Sequence, residues 1–176
     1  AASDGSFGVR SSASGSSAPK SSGQAATKPS PPPSKPAKKA PELKSVEDTK
    51  VGYKVQVPKD GEEKKQSDTF HTYSLGMPVD YTVAVQVMGD ADPTFKNIDE
   101  FIAHEKPRSG DKDPISKKEL GKDRYLIVFA GEHLHGPNVE ANLWMMVGKK
   151  KFWVRCGALK EFEQLATDMC TSFTPL

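Results

Sequence analysis

Val139-Glu-Ala-Asn-Leu-Trp-Met-Met-Val147, Gly148-Lys-Lys150 and Lys151-Phe-Trp-Val-Arg-Cys156 follow one another without a break, and their alternation decides the fold. Successive side chains of a strand point to opposite faces of its sheet. Val139, Ala141, Leu143, Met145 and Val147 therefore share one face, matched on the returning strand by Phe152, Val154 and Cys156. The opposite face carries Trp144, Met146 and Trp153 among Glu140, Asn142, Lys151 and Arg155. Gly148-Lys-Lys150 supplies the turn, so the stretch reads as an antiparallel hairpin. Just upstream, Tyr125-Leu-Ile-Val-Phe-Ala130 is apolar on both faces, as a central strand covered on both sides must be. Downstream, Leu159, Phe162, Leu165, Ala166, Met169 and Phe173 line one side of an amphipathic helix able to cover a face.

Further from the hairpin the same signals recur. Val51, Tyr53, Val55 and Val57 alternate with small or polar residues up to Pro58 and the Asp60-Gly61 turn, which reads as a half-buried strand. Thr69–Leu75 and Val79–Met88 read as two more strands, separated by Gly76-Met-Pro78. Ile98, Phe101, Ile102 and Glu105 recur at helical spacing within Asn97–Glu105, which predicts a short helix. A polar loop over Lys106–Pro114 leads to strands at Ile115–Leu120 and Arg124–Ala130, joined by Gly121-Lys-Asp123. The order is β-β-β-α-β-β-β-β-α with mostly hairpin connections. That order predicts an α+β fold, an antiparallel sheet flanked by helices as an α/β/α sandwich, over residues 46–174.

Residues 1–45 are expected to form a disordered tail or linker. Of the first 42, 30 are Ser, Ala, Pro or Gly, and Phe7 and Val9 are the only bulky apolar side chains. Such a stretch cannot bury enough surface to offset its ordering entropy. Residues 11–27 are Ser/Gly/Ala-rich, whereas Lys28-Pro-Ser-Pro-Pro-Pro-Ser-Lys-Pro-Ala-Lys-Lys-Ala-Pro41 favours stiffer polyproline II. The first 42 residues hold six basic and two acidic side chains, and the remainder 19 and 21, so the basicity belongs to the tail. A net charge of +2 excludes a strongly polycationic nucleic-acid binder, and no nucleic-acid partner is expected. No apolar run approaches the roughly 20 residues a spanning helix needs. Two cysteines cannot build a disulfide-dense scaffold or supply most ligands of a structural zinc site.

Several residues carry candidate chemistry. His133 and His135, within Glu132-His-Leu-His135, project to one side of an extended chain, where neutral imidazoles suit Zn, Cu or Ni. The competing reading is a polar hairpin tip formed by Gly131, Gly136, Pro137 and Asn138. Gly-Asp-x-Asp-Pro occurs at 89–93 and again at 110–114, so Asp90 and Asp92, with Asp111 and Asp113, are candidate calcium ligands. An EF-hand is excluded, because the sixth position from Asp90 is Phe95 and the twelfth is Phe101. Turn chemistry explains the same residues, with Asp accepting backbone N–H groups and Pro fixing φ. Cys156 and Cys170 are separated by about ten helical residues, roughly 15 Å against the ~7 Å limit for a bridge, unless the helix begins late. Two buried thiols are the alternative. There is no nucleophile elbow, phosphate loop or dinucleotide fingerprint, and no enzymatic activity is expected. No cofactor is expected either.

The tryptophan face of the hairpin admits two readings. Trp144, Met146, Trp153 and Arg155 have the composition of an interaction surface. A helix covering that face would instead make the tryptophans core.

Gly52-Tyr-Lys-Val-Gln-Val-Pro58, the helix after the third strand, and Phe152-Trp-Val-Arg-Cys156 with Phe162 and Cys170-Thr-Ser-Phe173 resemble the Mog/PsbP-like superfamily. Val87-Met-Gly-Asp90 with Asp92-Pro93 is similar to the corresponding turn of DcrB-like bacterial envelope lipoproteins. The resemblance covers 46–174, concerns structural motifs, and supplies no catalytic set to carry over. It implies a module that works by binding. The tail ahead of one compact domain resembles a lipoprotein after signal-peptide removal, the lipidated cysteine lying just upstream. The expected function is a non-enzymatic binding or scaffolding module of the bacterial cell envelope, periplasmic or on the outer surface, lipid-anchored or secreted. Its expected partner is another envelope protein or a small ligand, with membrane contact only through an N-terminal lipid anchor and a monomeric domain. The alternative is a metal-dependent enzyme or metal-binding protein using the loop of His133 and His135.

Overall fold

The computed structural model describes residues 39–76, 80–133 and 136–176. Its first half runs β1 (Leu43–Asp48), β2 (Tyr53–Pro58), β3 (Glu62–Ser67), β4 (Phe70–Leu75), β5 (Tyr81–Met88) and α1 (Ile98–Glu105). A 3₁₀ turn over Lys106–Ser109 leads to β6 (Ser116–Gly121), β7 (Arg124–His133), β8 (Gly136–Val147) and β9 (Lys150–Leu159). A second 3₁₀ turn, α2 (Glu163–Thr171) and the short β10 (Thr174–Pro175) end the chain.

Seven strands form one antiparallel sheet in the order β3-β4-β5-β9-β8-β7-β6. The β6–β9 meander thus returns its last strand to β5, and the hairpin of β8 and β9 lies at the centre. Its two-residue turn sets Gly148 at φ 61°, a conformation glycine adopts without strain. A three-stranded sheet, β1-β2-β10, lies with α2 against the first face of the large sheet. The fold is α+β, an antiparallel sheet with a helix on each side.

Alternation along β8 and β9 separates two cores. Val139, Ala141, Leu143, Phe152, Val154 and Cys156 join Tyr53, Val55, Val57, Met169 and Phe173 on the α2 face. Trp144, Trp153, Tyr125, Ile127 and Phe129 join Phe95, Ile98 and Phe101 on the α1 face. α1 begins where Asn97 accepts the backbone N–H of Glu100 at 2.9 Å, while Glu100 reaches back to the N–H of Lys96 at 2.9 Å. These bonds satisfy donors that a helix start leaves free. Pro107 then tightens the chain into the 3₁₀ turn, which Gly110 closes at φ 73°.

Four elements have no counterpart in the sequence reading. β1 begins at Leu43, ahead of the boundary at 46, and its mixed burial gives no alternation to detect. β3, Glu-Glu-Lys-Lys-Gln-Ser, is exposed throughout, because an edge strand is held by its ladder and guarded by its charges. β10 has two residues, and the first 3₁₀ turn sits where a polar loop was expected. The tail reading for 1–38 lies outside the described residues.

Cys156 and Cys170 form a disulfide, with Cα atoms 5.7 Å apart. The helix does begin late and folds back along its strand. Three further residues of β9 advance the chain by about 10 Å, and seven residues of α2 bring it back by about 10 Å, so the two cysteines meet.

Candidate functional site

The half of the α1 face beyond Trp153 carries a fixed polar network. Asn142, fully buried on β8, accepts Arg155 Nε at 3.2 Å and Trp153 Nε1 at 3.4 Å, and donates to Glu140 Oε1 at 3.1 Å. Arg155 Nη2 also reaches Glu140 Oε1, at 2.9 Å. Backbone register makes this geometry. Arg155 lies between Ala84 of β5 and Asn142 of β8, so both neighbours are one strand away.

The 3₁₀ turn brings a second guanidinium to the same place. Arg108 lies 4.6 Å from the Trp153 ring centre and Arg155 lies 5.4 Å from it, so the indole has two cationic neighbours. Arg108 Nη1 approaches Glu105 Oε1 at 3.5 Å. Glu105 is only 2% exposed, on the last turn of α1. Burial pushes its carboxyl up to about 7, against the pull of Arg108 and Arg155 and with a smaller push from Glu140. His104 packs on Phe95 and Trp153, and its Nε2 is buried, without a hydrogen-bond partner, 3.6 Å from Glu105 Oε1. Burial, and then Arg108, hold that imidazole below its ordinary pKa.

Three hollows border this network. One, of about 270 Å³, is lined by Phe70, Ala84, Gln86, Arg108, Trp153 and Arg155. The others, of about 330 and 260 Å³, share Asn138 and Glu140, and the smaller one is floored by Thr82 and Gly157. Gly157 keeps that floor low, since a Cβ there would meet Thr82 Oγ1 at 2.9 Å. A rigid charged network beside small side chains is chemically suited to binding. It does not by itself supply a nucleophile paired with a base.

The four hairpin residues expected to meet a partner separate. Trp144 is fully buried, stacked on Tyr125 at 5.6 Å and edge-on to Phe95 at 5.3 Å. Trp153 is 7% exposed. The expectation of a tryptophan surface is thus corrected, because α1 and Phe95 cover that half of the sheet. Met146 packs at the edge of the same core, whereas Arg155 keeps 40% of its side chain in solvent. Asp92 is spent on its turn, accepting the N–H of Gly89 at 2.6 Å. The carbonyls of Asp90 and Asp92 receive the Lys151 ammonium at 3.5 and 2.5 Å, so a side-chain cation already sits against this turn. His135 and the side chain of His133 lie outside the described residues. Among the described residues, no group of three or more His, Cys, Asp or Glu is placed to hold a metal ion. Among them, too, no helix is long and apolar enough to cross a membrane.

Arg108, Glu105 and Phe70 were not singled out as site residues by the sequence. Glu105 had left a signal, as the acidic member of an otherwise apolar helical face. A second buried cluster joins the two sheets. Tyr53 OH lies 3.1 Å from His71 Nδ1 and 3.2 Å from Tyr73 OH, and Asp48 Oδ2 is 3.3 Å from the same imidazole nitrogen. Burial, then the Tyr73 hydroxyl, push Tyr53 far above the ordinary tyrosine range.

No family model matches the chain, and no curated protein does. Among solved structures the chain is similar to cyanobacterial PsbP (CyanoP) from Synechocystis sp. PCC 6803, at 13% identity and a TM-score of 0.49. That alignment covers 78% of this chain and 95% of the other. It is also similar to a protein of Bacteroides thetaiotaomicron, at 9% identity and a TM-score of 0.45, over 70% of this chain. The aligned part spans 45% of the Bacteroides protein. A PsbP protein is thus among the solved structures the chain is similar to, and neither of these two is described as DcrB-like.

Proposed function

We propose that the chain is a non-enzymatic binding module of the bacterial cell envelope, tethered as a lipoprotein through its N-terminal segment, whose monomeric folded unit receives an envelope protein or a small ligand. The binding surface is the half of the α1 face left open around Arg155, Glu140 and Arg108. The observation that carries this reading is the Asn142–Glu140–Arg155 network, which fixes a partly exposed guanidinium at the rim of three hollows. Preorganised donors bind with little further loss of side-chain freedom. The Cys156–Cys170 bridge supports an oxidising compartment. The Pro- and Lys-rich segment ahead of β1 supports a spacer that keeps the unit near its attachment point at high effective concentration.

Site-specific photocrosslinking in cells tests the reading. A crosslinker in place of Ala84 samples the open face, and one in place of Lys64 on the exposed β3 edge serves as control. The expected result is a discrete envelope product from position 84 that is absent from position 64 and lost in Arg155→Ala. No product from position 84, or the same product from both positions, overturns the proposed surface. Failure of the full-length gene product to label with palmitate overturns the lipid tether.

A further inference from the structure

Building on that open face as a binding surface, we propose that the hollow between Phe70 and Trp153 is a site for a small anion carried on a flat apolar group, an aryl carboxylate or aryl phosphate, with its charge held by Arg108 and Arg155. Size, lining and charge each support this class. The hollow measures about 270 Å³. An apolar cavity of about 150 Å³ already admits benzene, so the space matches one ring with an anionic substituent. Phe70, Ala84 and the Trp153 indole supply apolar contact, and Gln86 adds one neutral polar group.

The lining at the charged end is positive, with the partner carboxylates Glu140 of Arg155 and Glu105 of Arg108 standing behind it rather than in it. Among the six lining residues two are arginines and none is acidic. Arg155 directs Nε to Asn142 and Nη2 to Glu140, which leaves donors of its five N–H groups uncommitted. Arg108 makes one long contact, 3.5 Å to Glu105. Guanidinium groups match the planar geometry of a carboxylate and the oxygens of a phosphate.

Glu105 couples this site to protons. The groups facing it are His104 and Arg108 on its own segment, Arg155 on β9 and Glu140 on β8. A bound anion competes with the Glu105 carboxylate for Arg108, and a proton on Glu105 removes the competitor. With the carboxyl titrating at about 7, carboxylate affinity should fall by about tenfold between pH 6 and pH 8.

The test is an NMR titration of the whole isotope-labelled chain with phenylacetate, phenylphosphate and benzyl alcohol. Saturable shifts are expected at Phe70, Ala84, Gln86 and the Trp153 indole with at least one anion, and the two anions in separate arms decide which head group is preferred. The alcohol should bind at least about tenfold more weakly, since it lacks the charge. Arg108→Gln, on an exposed turn, should weaken anion binding by a similar factor, and Arg155→Lys provides a second, milder variant. Glu105→Gln should keep binding and remove its pH dependence. Equal binding of the alcohol, shifts centred elsewhere, or unchanged affinity in both arginine variants overturns the inference. A pH dependence of phenylacetate binding between pH 6 and pH 8 that survives in Glu105→Gln overturns the proton coupling. Absence of shifts with an intact position-84 crosslink rejects this ligand class and leaves the binding face standing, whereas absence of both rejects the two together.

Discussion

Glu105→Gln isolates the free energy stored in one buried carboxyl. In the folded chain the group titrates at about 7 against an ordinary 4.5, because burial outweighs the attraction of Arg108 and Arg155. Between those values the folded state holds a proton that the unfolded chain has released, so stability falls as pH rises. The loss is absent well below 4.5 and complete above 7. Integrating between pH 5 and pH 8 gives a penalty of about 2 to 3 kcal/mol for the wild type, which glutamine cannot incur. Glutamine keeps the shape and carries no ionisable group. The assay is urea unfolding of the whole chain, followed by tryptophan fluorescence, at several pH values in that range. Titrating groups remote from Glu105 cancel in the difference between variant and wild type. The variant should gain on the wild type steadily with rising pH. A difference that stays flat, or a wild type that gains stability above pH 7, refutes the account of Glu105.

Three other outcomes follow from packing and covalent structure. Reduction, or Cys156→Ala with Cys170→Ala, should cost about 3 kcal/mol for a loop closed over a separation of 14 residues, and thiol titration should find no free cysteine before reduction. Trp144→Ala should cost about 3 to 5 kcal/mol in urea unfolding, because the indole is fully enclosed by Tyr125 and Phe95. A loss below about 1 kcal/mol would place that ring at the surface. Tyr53→Phe should cost about 1 to 3 kcal/mol, since it removes the hydroxyl shared by His71 and Tyr73, and calorimetry would detect the lower midpoint.

Legibility in the sequence tracked burial. β5, β7, β8 and β9 announced themselves because residues at every second position meet a core, and α1 and α2 because one helical face does. β3 and β10 exist through ladder hydrogen bonds to a neighbouring strand, and backbone bonding leaves no side-chain period to read. The hairpin alternation correctly separated Trp144 and Trp153 from Val154 and Cys156. It could not tell how much of the tryptophan face a helix covers, which depends on where α1 lands. Arg155 was legible as a partly exposed residue of the tryptophan face, since it alternates out of a core strand. Arg108 was not, because its position depends on Pro107 tightening the end of α1 into a 3₁₀ turn that aims it at a ring 45 residues further along. The cysteine pair shows the same limit: the spacing was readable, the reversal of direction between β9 and α2 was not.

The open half of the α1 face follows from unequal cover. A seven-stranded sheet is about 30 Å across at ~4.8 Å per strand, whereas the eight residues of α1 extend only about 12 Å. One such helix cannot shield the whole face, even with Phe95 and the 3₁₀ turn beside it. The other face has no such shortfall, because α2 and the β1-β2-β10 sheet share it. Apolar side chains left on the uncovered half would form a sticky patch, so those strand positions must be polar, and buried polar groups must find partners. Asn142, Glu140 and Arg155 satisfy one another there, and Thr82 and Gly157 keep the surface low. Glu105 and Arg108 stand at the boundary between the covered and open halves, where a carboxyl loses its water but keeps a cation in reach. The raised carboxyl, the paired arginines and the hollow against Trp153 are therefore connected consequences of a helix too short for its sheet.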